Sequence, residues 1–185
     1  MGPAYELIGK HPLVRKYRRS KDVAKRAPQA RKCYDGRTVL LYFAYGSNMS
    51  RARLEARVGA VLDHGRATLS DYRHRFSKHG VDGTGKGNIE DVATSPEAAR
   101  VWGVLYSLTP GQFEVLAGFE TGYRPVQLPM VRTTREHSRV HSFVALEIVE
   151  GLRPTAQYLE HYRRGMHEHG IPEDYMAELL AGLAI

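Results

Sequence analysis

Gly46, Ser47 and Asn48 follow directly on the apolar run from Val39 to Tyr45. Glycine allows φ > 0 and a close approach of ligand to backbone. Ser and Asn add side-chain donors and tolerate turn geometry. Between a buried strand and a helix start, such residues form a nest of N–H groups suited to an anion or a developing oxyanion. On pattern alone, an ordinary strand-to-helix turn is the simpler account. The second candidate is Glu120, between Phe119 and Thr121-Gly122. A carboxylate at the C-terminal end of a helix stands against the helix dipole. A carboxylate can pass protons as a general acid–base, although this one, taken alone, reads as solvated.

Other reactive-looking patterns fail on inspection. Gly80 to Lys86 fits the first part of a phosphate-binding loop. Gly87 stands where the magnesium-ligating Ser or Thr belongs, and no amphipathic helix follows. His161, His167 and His169 have ligand-like spacing but share a polar helix with Arg163 and Arg164, which reads as a solvated face with no metal site. Ser47 is no nucleophile elbow, because Met49 occupies the place of the second glycine.

These residues need elements to hold them. Val39 to Ala44 reads as a buried strand, and Ser50 as the N-cap of a helix through Arg57. Residues 60 to 78 read as two strands or one bent strand, and 79 to 88 as a Gly-rich loop. Val101 to Leu108 is a near-continuous apolar strand, central to a sheet. Thr109, Pro110 and Gln112 spell a capping box with proline at the first helical position. That helix should bury Phe113, Leu116 and Ala117. Val126–Arg132 and Val140–Val149 read as strands, Tyr158–His169 as a helix closed by Gly170, and Pro172 opens a last helix. Strands and helices mix without βαβ alternation, which argues for an α+β fold.

Tyr42, Phe43, Ala44, Tyr45, Gly46, Ser47 and Asn48, followed by Met49, resemble the signature of the γ-glutamylcyclotransferase family. Val101–Tyr106 resembles that family's middle strand, and Leu116–Tyr123 the segment that holds its catalytic glutamate. Pro154–Tyr158, Gly165 and Gly170–Tyr175 resemble its C-terminal helices. The four segments keep the family's order and span most of the chain from residue 39. The resemblance implies an α+β fold with a mixed-sheet β-barrel ringed by helices and the Gly46-Ser47-Asn48 turn at one mouth. It implies a small γ-glutamyl substrate, no cofactor and no metal. Glu120 would be the general acid–base. Residues Tyr42 to Asn48, with Tyr123 and Tyr158, would bind substrate. The chain departs from the family at Ala117, where Asp is frequent, at Thr121, where Gly is frequent, and at Phe143, where many relatives have Tyr.

The formal charge of +7 is concentrated at one end. Residues 1 to 38 hold eleven Lys and Arg against three Asp and Glu, and the remainder sixteen against seventeen. The expected organisation is therefore a basic extension over 1–37 and a γ-glutamylcyclotransferase-like domain over 38–185. Residues 10–32 are a possible polyanion contact, or else a solubilising tail or a strap docked by Leu7, Ile8, Leu13 and Val14. No apolar run approaches the ~20 residues of a membrane span, and no secretory signal is visible. The lone Cys33 makes a reducing, cytoplasmic setting the simplest expectation. Two other readings compete with an enzyme: a non-catalytic binding module of the same fold, and a protein recruited by its basic arm.

Overall fold

The computed structural model describes residues 14–16, 31–32, 38–93, 99–132, 137–181 and 183, with backbone alone at 14–16, 31–32, 129–132, 137 and 138. In chain order the elements are β1 (Val14–Lys16), β2 (Arg31–Lys32), β3 (Thr38–Ala44), a 3-10 turn (Ser47–Met49), α1 (Arg51–Val58), β4 (Leu62–Ser70), β5 (Tyr72–His79), β6 (Gly85–Asp91), β7 (Arg100–Leu108), α2 (Pro110–Phe119), β8 (Tyr123–Arg132), β9 (His137–Ala145), β10 (Glu147–Val149), α3 (Ala156–Glu168) and α4 (Glu173–Ala181). Cys33 and most of the basic segment 10–32 lie outside the described residues. The described parts of that segment are β1, which pairs antiparallel with β10, and β2, which pairs antiparallel with β3.

Six strands form one mixed sheet in the order β2-β3-β7-β4-β8-β9. β7 lies between β3 and β4, antiparallel to both. Its burial along nearly its whole length explains its apolar sequence. β3 and β7 send alternate side chains to opposite faces, as strand geometry requires. Tyr42, Ala44, Val104, Tyr106 and Leu108 join one core cluster, with Leu54 of α1, Leu116 of α2, and Leu159 and Tyr162 of α3. Phe43, Tyr45, Val101 and Leu105 join the other, with Leu69, Leu128 and Val140.

The α+β class with a mixed sheet is as the sequence implies, but the barrel is not. The second edge of β3 is divided. β2 takes Thr38 and Val39, and β9 reaches it in parallel at Tyr42–His141 alone. With one residue pair in place of a ladder, the sheet is not closed into a barrel.

Residues 79–88 also differ from expectation. They are not one loop but the end of a β5–β6 hairpin, whose strands resume pairing at His79–Gly85. Ser50 stands at the N-cap of α1 without a side-chain capping bond. Glu168 Oε2 instead accepts from the Arg51 amide at 3.0 Å, and so supplies the negative charge that a helix N-terminus favours. On α2 the capping box forms as read, with Thr109 Oγ1 accepting from the Gln112 amide. Leu116 is buried, but Ala117 is exposed.

Candidate active site

The sharp turn after β3 is held from three directions. The Met49 amide donates to the Gly46 carbonyl. The Tyr106 hydroxyl donates to the Met49 carbonyl at 2.8 Å. From outside, α3 lies directly on the turn at Gly165. A Cβ there would come within 2.5 Å of Met49 and Ser50, so glycine is what lets the helix approach. Residues Ser47 to Ser50 are all buried as a result.

Helix α2 delivers Glu120 to the same place. Its first turn is tied to the end of α1, because Gln112 Nε2 donates to the carbonyls of Val58 and Ala60. Its C-cap residue is Glu120. Asn48 Nδ2 donates to Glu120 Oε1 at 3.0 Å, across 72 residues of sequence. Arg57 Nη1 donates to the same oxygen at 3.0 Å and to Asn48 Oδ1 at 3.0 Å. The Arg57 guanidinium also lies 5.2 Å from the centre of the Phe119 ring. This network fixes the Asn48 amide orientation, since a flip would set its oxygen against the carboxylate and its NH2 against the guanidinium. The Arg57–Glu120 ion pair is mostly shielded from solvent. It offsets the misfit between a carboxylate and the C-terminal end of a helix.

Tyrosines surround the carboxylate. Tyr42 hydroxyl oxygen accepts from Asn48 Nδ2 at 3.0 Å. Tyr45 donates to the Phe143 carbonyl at 2.6 Å. On β6, Gly87 links two others: its amide donates to the Tyr158 hydroxyl at 3.1 Å, and its carbonyl accepts from Tyr123 at 2.7 Å. Burial pushes the hydroxyls of Tyr42, Tyr45, Tyr123 and Tyr158 above the ordinary phenol range, so all four are neutral at physiological pH. Lys78 Nζ sits 5.3 Å from the Tyr123 ring centre, and Lys86 Nζ 4.7 Å from that of Tyr158. Partial burial pulls the Lys78 amine below its usual range.

Tyr42, Tyr45, Gly46, Ser47, Asn48, Glu120, Tyr123 and Tyr158 thus line one cleft, joined by Gly87 and Phe143. Phe43 and Ala44 do not line it. Phe43 points to the opposite core and Ala44 is packed in the near one, because adjacent strand residues face opposite ways. The sequence reading missed Arg57 and Gly87. Arg57 looked like one more basic residue at a helix end, and Gly87 like one glycine among several in a loop. A larger cavity of about 460 Å³ lies between β5, β10 and the C-terminal helix. It is lined by no residue of the Tyr42–Asn48 segment and not by Glu120, so chemistry and not size selects the smaller cleft. Of the three histidines set aside as a solvated face, His167 is exposed but His169 is not. His169 Nε2 lies 2.8 Å from Asp63 Oδ2, and its Nδ1 2.7 Å from the Gly165 carbonyl. His161 lies 3.0 Å from Arg53.

The model of the AIG2-like family matches residues 100–179. The γ-glutamylcyclotransferase of Bos taurus is 27% identical over 145 residues, covering 75% of this chain and 76% of that protein. A putative γ-glutamylcyclotransferase of Bacillus subtilis, YkqA, is 30% identical over 144 residues, covering 72% of this chain and 49% of that one. Among solved structures, one of a γ-glutamyl cyclotransferase superposes with a TM-score of 0.67 at 26% identity, covering 77% of this chain and 87% of the other. Among the described residues no helix is long and apolar enough to cross a membrane. By sequence and by fold, the chain is similar to the γ-glutamylcyclotransferases and to the AIG2-like family.

Proposed function

We propose that this chain is a γ-glutamylcyclotransferase that converts a γ-glutamyl amide to 5-oxoproline and a free amine, with Glu120 as general acid–base. The observation that carries the reading is the contact between Asn48 and Glu120, which joins the two halves of the family pattern in one cleft. The reaction is intramolecular. The substrate's α-nitrogen bonds to its γ-carbonyl carbon, and the bond from that carbon to the leaving nitrogen breaks. Two protons leave the substrate ammonium and both end on the departing amine, so water is not consumed. Glu120 carries them in turn, within the hydrogen-bond reach that such transfer needs. Asn48 and Arg57 both hold Oε1, which gives Oε2 to the proton transfers. The turn from Tyr45 to Asn48 holds substrate oxygens, including the developing oxyanion, and Tyr123 and Tyr158 orient the glutamyl part. Folding the chain so that amine and carbonyl meet is the orientation effect. Lys78, beside the Tyr123 ring, suits a carboxylate of an acidic substrate, whereas Lys86 is paired with Asp82 at 2.7 Å. The setting proposed is the cytoplasm.

One observation favours a second reading, a non-catalytic binding member of the fold. The cleft is small, about 30 Å³ against about 460 Å³ for the larger cavity. The deciding experiment incubates the purified protein with γ-glutamyl amino acids, γ-glutamyl amines and glutathione, and assays 5-oxoproline. Turnover on any of them supports the enzyme. Binding without 5-oxoproline supports the second reading.

A further inference from the structure

One of the three histidines that read as a solvated face is built into the fold. His169 is the C-cap residue of α3, and its side chain is 5% exposed. The ring folds back along the helix and sets Nδ1 2.7 Å from the Gly165 carbonyl, in the last turn, whose carbonyls lack a partner within the helix. On the other side, Nε2 lies 2.8 Å from Asp63 Oδ2 and 3.4 Å from the Tyr106 hydroxyl. A bulge aims Asp63 there. The pairing of β4 with β7 shifts between Asp63 and Arg66, Gly65 takes φ 83°, and the Gly65 amide donates to Asp63 Oδ1 at 2.7 Å.

Donor and acceptor counting fixes the state of this ring. A backbone carbonyl only accepts, so Nδ1 carries a proton. The Tyr106 hydroxyl directs its one proton to the Met49 carbonyl, which leaves its oxygen an acceptor toward His169. An ionised Asp63 carboxylate is an acceptor too. Every group that faces Nε2 is thus an acceptor, and Nε2 also carries a proton. Turning the ring over would set carbon atoms against these oxygens. A neutral imidazole has one N–H and serves one side only, whereas the imidazolium serves both. A cation also suits the C-terminal end of a helix. The charged neighbours are engaged elsewhere. Arg66 donates to the Gly170 carbonyl, and Glu168 accepts from the Arg51 amide.

Both ends of the ring meet a support of the turn at Ser47–Met49. Gly165, whose carbonyl Nδ1 holds, is the residue at which α3 packs on the backbone of Met49 and Ser50. Tyr106, beside Nε2, holds the Met49 carbonyl. Asp63 fastens the ring to β4, 106 residues away in sequence. We infer that His169 is a positioning residue for this turn, acting as a double N–H donor between Gly165 and Asp63, and that loss of its second proton loosens α3 from the turn. What the turn does in catalysis rests on the cyclotransferase reading above. Neither His169 nor Asp63 lines the cleft.

Two measurements on the full-length protein test it. In uniformly ¹⁵N-labelled protein at neutral pH, long-range ¹H–¹⁵N correlation counts the protons on each histidine ring. The His169 ring is expected to hold two. In Asp63→Asn it should hold one, because the carboxamide NH2 can donate to Nε2 and keep the contact. A single proton in the parent, or no change in the variant, overturns the inference. The kinetic arm follows 5-oxoproline formation against pH. As pH rises and His169 gives up a proton, the kcat of the parent should fall, and Asp63→Asn should lack that fall. Profiles of the same shape overturn the inference. His169→Gln, which can reach Asp63 but not the Gly165 carbonyl, should lower kcat about tenfold, the scale of one hydrogen bond, and displace the amide signals of residues 47–50. Unchanged turnover and unchanged amide signals also overturn it. If the parent forms no 5-oxoproline, the cyclotransferase reading fails, and the proton count and the amide signals still decide the role of His169.

Discussion

At the scale of single residues, the candidate general base is not free in its cleft. Arg57 and Asn48 both hold one oxygen of Glu120, and Arg57 holds Asn48 as well. Arg57 is therefore expected to aim the carboxylate without touching substrate. Arg57→Gln should lower kcat by about a hundredfold, the cost of a catalytic group misplaced by about 1 Å, and leave KM little changed. Arg57→Lys, which keeps the charge but loses the planar fork, should fall between. Steady-state kinetics separate the roles: a raised KM with an unchanged kcat would make Arg57 a binding residue instead. Glu120 was legible because it sits in a local pattern. Arg57 was not, because its partner lies 63 residues away and nothing in its helix marks it.

At the scale of elements, the turn keeps its shape because α3 is pressed onto it at Gly165. A methyl group there meets Met49 backbone at 2.4 Å. Gly165→Ala should cost about 1–3 kcal/mol, as overpacking does, and should lower activity too, since α3 carries Tyr158. Gly118 of α2 is the counterpart, exposed and with nothing within 4 Å of an added Cβ. Gly118→Ala should stabilise by about 0.5–1 kcal/mol through helix propensity alone. Chemical denaturation of both variants checks the opposite signs, and two equal effects would mean that α3 does not bear on the turn as described. The capping box of α2 was legible in full, because all its partners lie within four residues. The β5–β6 hairpin was not, since glycines that read as a loop are here strand residues admitting neighbours closely. Gly87 gives way to the Tyr162 hydroxyl.

At the scale of the whole molecule, the apolar strands β3, β7, β8 and β9 were legible in order along the chain, whereas sheet closure was not. Closure depends on how the second edge of β3 is shared between β2 and β9, and no local pattern encodes that. The same sharing bears on the basic N-terminal segment. A chain beginning at Thr38 loses the pairings of β1 with β10 and of β2 with β3, but no residue lining the cleft. It is expected to melt at lower temperature and to keep its turnover on small γ-glutamyl substrates. Loss of activity at an unchanged melting temperature would place the segment in the site.

Stability should also depend on pH through His74, whose pKa is lowered by burial from 6.5 to about 3. As pH falls through that window the unfolded chain takes up a proton that the native state refuses, so stability is full above about 6.5 and declines toward about 3. Thermal melts over this window should slope less steeply for His74→Gln than for the parent, and equal slopes would contradict the burial of the ring.

The most direct test of the central claim is 5-oxoproline formation by the purified protein and by Glu120→Gln, at saturating concentration of whichever γ-glutamyl compound the parent turns over. The amide nearly preserves the volume of the carboxylate and can still meet Asn48 and Arg57, but it cannot take the substrate's proton. General acid–base groups contribute about 10²–10⁴-fold, and one group serving both transfers should sit at or above the upper part of that range. The account predicts stoichiometric 5-oxoproline and free amine from the parent, and a loss of that size in Glu120→Gln with substrate affinity little changed. A variant that retains more than about a tenth of the parent rate, well short of the expected loss, would contradict it.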